Sequence, residues 1–194
     1  MPFAVPEALE DTLLRAYASP PRAYHNFGHV LEVLAHYRSV PDWQDPVSVA
    51  LAVLFHDAVY VAGQSDNESN SAELAATSLA SHPIAEPHDP ARLRQLILLT
   101  ARHGSLTMDE VDADGARFLD CDMAILGADP LRFAAYERAI AEEYAHVPAA
   151  AYRAGRGRFL NKLLAAPRIF LSESFHERFD QTARANLTRA LGML

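Results

Sequence analysis

Three Asp-Pro pairs, Asp45-Pro46, Asp89-Pro90 and Asp129-Pro130, each stand immediately ahead of an apolar-periodic stretch. An aspartate at an N-cap accepts a free backbone N–H of the first turn, and proline fits the first helical position because its missing N–H would have no partner there. Val147-Pro148 opens a fourth stretch of the same kind. Strand signals are nearly absent. No Asn-Gly or Asp-Gly pair sits between alternating segments, and Asp114-Gly115 runs on into helical spacing. The pattern predicts an all-α fold of about nine helices, over roughly 6–18, 25–39, 46–60, 67–81, 90–102, 109–126, 130–146, 148–165 and 174–191. The stretch 46–60 is apolar on nearly every side until it reaches His56-Asp57, which predicts a central helix buried on most faces.

Connections between these stretches are short, and no linker, repeat or low-complexity segment interrupts them. A chain of 194 residues, 50% hydrophobic and 22% charged, suits a single domain over 1–194 with a sizeable core. The net charge of −8 argues against binding along a nucleic-acid backbone, which needs a basic footprint. It leaves room for a small phosphorylated substrate, since a metal ion or a few arginines supply positive charge locally. The longest apolar run, VSVALAVLF, falls far short of the ~20 residues that span a bilayer, so no membrane segment is expected. One cysteine, Cys121, permits no intrachain disulfide, and the opening MPFAVPEALEDTLL lacks the basic start of a signal peptide. The expectation is a cytoplasmic protein. The exposed helix faces are compatible with a homodimer.

Chemistry-bearing residues gather in four places. YHNFGHV puts His25 and His29 four apart, with Asn26 beside the first. On a helix, positions i and i+4 lie on one stripe, so the two imidazoles could share a metal, divide metal binding and proton transfer between them, or sit at an ordinary interface. LFHDAVY ends the central apolar run with His56 and Asp57, an imidazole and a carboxylate that are costly to bury without partners. FLDCDMAILG sets Asp120 and Asp122 among apolar neighbours, about 200° apart on a helix, which implies separate roles. His29, His56, Asp57 and Asp122 together form a two-nitrogen, two-oxygen set. Such a set suits a divalent ion: Mn, Fe, Ni, Co, Mg or Zn.

The order H…HD…D resembles that of the HD superfamily of metal-dependent phosphohydrolases. YHNFGHV, LFHDAVY, NESNSA, FLDCDMAILG and ARANL, spread from about residue 12 to 190, are similar to the bacterial family described as predicted metal-dependent HD-superfamily phosphohydrolases. The resemblance implies an HD-type helical bundle with His29, His56, Asp57 and Asp122 as ligands. Through the more distantly similar cyclic-nucleotide phosphodiesterases, it also implies that His25 is a general acid. In the same comparison Asp122 takes the ligand position and Asp120 a supporting one.

Further residues join the candidate site. Glu68, in NESNSA, is expected near the metal-bound water or the substrate, or else as a first-turn acid favoured by the helix dipole. His103, ahead of Gly104, is a candidate for contacting substrate phosphate or a second metal, or else a helix-end histidine with glycine just after it. Asn26 and Arg153 are candidate substrate contacts. Arg153 or Arg156 is alternatively expected to pair with Glu137, Glu142 or Glu143. Asn67 and Ser71 are expected as helix caps, and ARANL as the segment docking the last helix. The resulting expectation is an enzyme, a metal-dependent phosphohydrolase acting as a phosphomonoesterase or phosphodiesterase on a small phosphorylated metabolite or nucleotide. The alternatives are a non-catalytic metal- or ligand-binding helical module and a di-iron oxygenase, which would draw on His103 and Glu68 for additional ligands.

Overall fold

The computed structural model describes residues 1–194 and is all-helical, with nine α-helices, three short 3-10 turns and no strand. Its contacts gather into two compact units, Met1–Arg102 and His103–Leu194. No helix is long and apolar enough to cross a membrane.

The first unit holds α1 (Glu7–Tyr17), α2 (Phe27–Ser39), α3 (Pro46–Phe55), α4 (Asn67–Ser81) and α5 (Pro90–Leu99), followed by a 3-10 turn over Thr100–Arg102. α3 is its centre and packs against α2, α4 and α5. Every residue from Ser48 to Phe55 is buried, as the all-round apolar pattern predicts. The Asp-Pro reading holds in detail: Asp45 Oδ1 accepts from Ser48 N at 3.0 Å and Asp89 Oδ1 from Ala91 N at 2.9 Å. The Tyr17 hydroxyl reaches across to donate to the Leu54 carbonyl at 3.0 Å, tying α1 to the last turn of α3.

The second unit holds α6 (Ala113–Met123), α7 (Pro130–Glu143), α8 (Ala149–Ala165) and α9 (Glu173–Leu191), with 3-10 turns at Met108–Glu110 and Ala124–Gly127. Asp129 opens α7 by accepting from Leu131 N and Arg132 N at 3.0 and 3.1 Å. ARANL docks α9 as expected. Arg184 donates to the carbonyls of Leu164, Ala166 and Pro167, and Asn186 Nδ2 to those of Leu126 and Ala128.

Helix ends depart further from expectation than helix starts. The stretch expected as one helix over 109–126 is divided into a 3-10 turn, α6 and a second 3-10 turn. Asp112 starts α6 afresh by accepting from Gly115 N at 2.8 Å, while Thr107 and Glu110 close a capping box around the preceding turn. α3 stops at Phe55, five residues short of the expected 60, because Ala58 N bonds back to Phe55 O and tightens the chain out of the helix. His56 and Asp57 therefore occupy the turn beyond α3.

Candidate metal centre

The turn after α3 presents His56 and Asp57 to His29, which projects from the first turns of α2. One nitrogen from each ring and one oxygen of Asp57 lie within 4.8 Å of one another. His29 Nε2 stands 3.1 Å from His56 Nε2 and 3.5 Å from Asp57 Oδ2, and His56 Nε2 stands 3.2 Å from the same oxygen. Both rings are buried, and the carboxylate keeps a small opening to solvent.

The proton arrangement follows from one backbone contact. His56 Nδ1 lies 3.0 Å from the Val53 carbonyl, which can only accept, so Nδ1 carries the hydrogen. In the neutral ring, Nε2 then carries a lone pair, and it faces the Asp57 carboxylate and His29. Several lone pairs converging in a buried space require protons or a cation between them. Two imidazoles and a carboxylate form a donor set for a borderline divalent ion, and a histidine whose other nitrogen donates to a backbone carbonyl is oriented as metal-ligating histidines are. Burial pushes the Asp57 carboxyl up, but His56, His25 and His29, when they carry the protons that this convergence calls for, outweigh it and draw its pKa well below the ordinary carboxylate value.

His25 does not share a helical stripe with His29. The expected helix over 25–39 begins at Phe27, with Asn26 as its N-cap, and His25 precedes the cap. Asn26 Oδ1 accepts from Gly28 N at 2.8 Å, and its amide donates to the carbonyls of Ala23 and Arg22, so the side chain shapes the entry to α2. Glycine at 28 leaves room for that cap, since a Cβ there would stand 2.8 Å from Asn26 Oδ1. His25 still lies close to the group. Its ring centre is 5.8 Å from that of His29, and it stacks on Tyr60 at 4.0 Å, while Tyr24 packs against both histidines.

Glu68 occupies the first turn of α4, half-buried, and is not part of the three-residue group. Asn67 and Ser71 do not cap α4 as expected. The Asn67 side chain pairs with both backbone groups of Val61, and the Ser71 hydroxyl with both of Val59, bracing the loop that carries Tyr60. Sequence reasoning passed over Arg22. Its guanidinium bonds to the carbonyls of His25, Asp57 and Ala58. Its only sequence signal is a position three residues ahead of His25, which is not distinctive.

Asp122 and His103 lie in the second unit and meet there, Oδ2 to Nε2, at 2.8 Å. Gly104 follows His103 with φ +67, a conformation that glycine adopts without strain. Asp120 is separate from Asp122 in role, as the 200° spacing implies. Its buried carboxylate accepts from Leu171 N, Ser172 N and Ser172 Oγ at 2.7, 2.7 and 2.5 Å and holds the entry to α9. Burial nonetheless pushes its pKa up to about 6. Arg156 is engaged by Glu137 and by the Tyr136 hydroxyl, so one of the two arginines pairs with an acid of the preceding helix. Arg153 is exposed on α8. Comparison of the chain with protein-family models, with curated proteins and with solved structures finds no match in any of the three.

Proposed function

We propose that His29, His56 and Asp57 hold a divalent metal ion and that the chain is a metal-dependent hydrolase of phosphate esters, of the HD type that its ordered motifs resemble. The observation that carries the reading is the convergence of two buried imidazole nitrogens and a carboxylate oxygen within 4.8 Å, with the His56 tautomer set by Val53 O. A divalent ion held there would supply two things: positive charge for a phosphate oxygen, and a bound water far more acidic than bulk water. His29 and His56 contribute neutral nitrogens, and Asp57 contributes the anion that offsets part of the charge. His25, stacked on Tyr60 at the edge of the group, is the proton donor to the leaving oxygen. The substrate class is a small phosphorylated metabolite or nucleotide, for which a bound metal ion would supply local positive charge in a chain of net charge −8.

Elemental analysis of the purified protein, before and after incubation with manganese, tests the centre beside the variants His29→Ala and Asp57→Ala. Near-stoichiometric metal in the parent and its loss in both variants is the expected result, together with metal-dependent turnover of p-nitrophenyl phosphate or its bis-ester. Full metal content in Asp57→Ala would sink the ligand assignment. Metal without turnover on any phosphoester would move the reading to a binding module, and two irons with oxygen consumption to an oxygenase. Asp122→Ala belongs in the same series, because the resemblance alone makes Asp122 a ligand.

A further inference from the structure

The two segments that supply the metal-binding group are joined by one side chain. Arg22 Nη1 donates to the carbonyls of His25 and Asp57, both at 2.7 Å, and Nη2 donates to the carbonyl of Ala58 at 2.9 Å. Its Nε reaches Ser19 Oγ at 3.2 Å. The guanidinium carbon also lies 5.2 Å from the centre of the Tyr17 ring and 5.8 Å from that of Tyr60. One planar fork thus spans the segment that carries His25 and leads into α2, on which His29 lies, and the turn after α3, which carries His56 and Asp57. A guanidinium suits this task because its donors are fixed in one plane, so three carbonyls bonded to it have little freedom to shift. An ammonium is a point charge on a flexible stem and would not hold the same spacing.

We propose that Arg22 is a positioning residue for this group. Through the carbonyls of His25, Asp57 and Ala58 it holds the two segments at the separation at which His29, His56 and Asp57 converge. The proposal rests on the metal-centre reading above. Arg22 offers no ligand atom, since its guanidinium stays protonated, so its effect appears in the affinity and geometry of the centre rather than in the number of ions bound.

The test is titration of the metal-free protein with cobalt(II), followed by the visible bands of the bound ion, with circular dichroism and thermal unfolding of the metal-free protein alongside. Arg22→Ala is expected to keep the helical spectrum, to bind cobalt about 10–100-fold more weakly and to shift the bands. Arg22→Lys keeps the charge but loses the fork, and is also expected to bind more weakly than the parent. Ser19→Ala, which removes the partner of Nε and that hydroxyl's bond to the Ala16 carbonyl but leaves the three carbonyl bonds of the fork in place, should match the parent. Parent-like affinity and bands in both Arg22 variants would overturn the proposal, even if their thermal stability fell. If the alanine variant fails to fold, the lysine variant decides, and parent-like binding by it overturns the proposal. Failure of the underlying reading looks different: the parent takes up no cobalt, or His29→Ala and Asp57→Ala bind it as tightly as the parent. Either result removes the centre itself, and with it the role of Arg22.

Discussion

His25 and His29 are four apart in sequence, yet the chain treats them differently because Asn26 ends the irregular segment that carries His25 and starts the helix that carries His29. His29 is held on a helix and is buried, whereas His25 precedes the cap with its ring against Tyr60. A rigid buried imidazole suits a ligand, and a less buried one at the edge suits a group that exchanges protons with an incoming substrate. His25→Ala should therefore retain the metal and slow turnover by roughly 10²–10⁴, measured as kcat at saturating metal. Equal metal loss in His25→Ala and His29→Ala would mean that both are ligands. The identities of these residues were legible in the sequence because imidazoles and carboxylates are conspicuous in apolar surroundings. Arg22 was not, because it works through backbone carbonyls, and any residue can supply a carbonyl.

At the scale of elements, helix starts were readable and helix ends were not. An Asp-Pro pair acts on N–H groups two or three residues away, so Asp45, Asp89 and Asp129 declare α3, α5 and α7 locally. The end of α3 follows instead from a tightened turn and from the loop packed over it, which depends on α4. Asn67 and Ser71 make the point. They read as caps in sequence but serve as braces for Val61 and Val59, because the chain folds the loop back over the start of α4. Removing a brace leaves the backbone groups of Val61 without these partners. Asn67→Ala is expected to cost about 1–3 kcal/mol, read as a fall in the urea midpoint with an unchanged slope. A variant with parent stability would show that water satisfies Val61 equally well.

At the scale of the whole molecule, the all-helical class was legible because the helix signals recur along the chain and nothing competes with them. The division into two compact units was not, since nothing in the short connection around Arg102 and His103 sets it apart from the connections within a unit. Acid should expose one hold in the second unit. Burial pushes the Asp180 carboxyl up, but Ile169 N–H, Arg184 and His176 together draw its pKa below the ordinary value. A carboxylate with a depressed folded-state pKa contributes stability above its unfolded value, about 3.9, and loses it as pH falls through the folded one. Asp180→Asn should thus be less stable than the parent by about 1–2 kcal/mol at pH 7, with the gap closing below about pH 4 in urea titrations at each pH. A gap independent of pH would assign the loss to packing. The three-residue group in the first unit has a different consequence. Its members come from two places in the chain, with the rest of α2, the connection and all of α3 between them. An ion gripping both ends closes that stretch into a ring and takes from the unfolded chain the freedom its ends would otherwise have. The same atoms that would perform the chemistry would then act as a removable staple, and a chelator would be a denaturant for the unit that carries them.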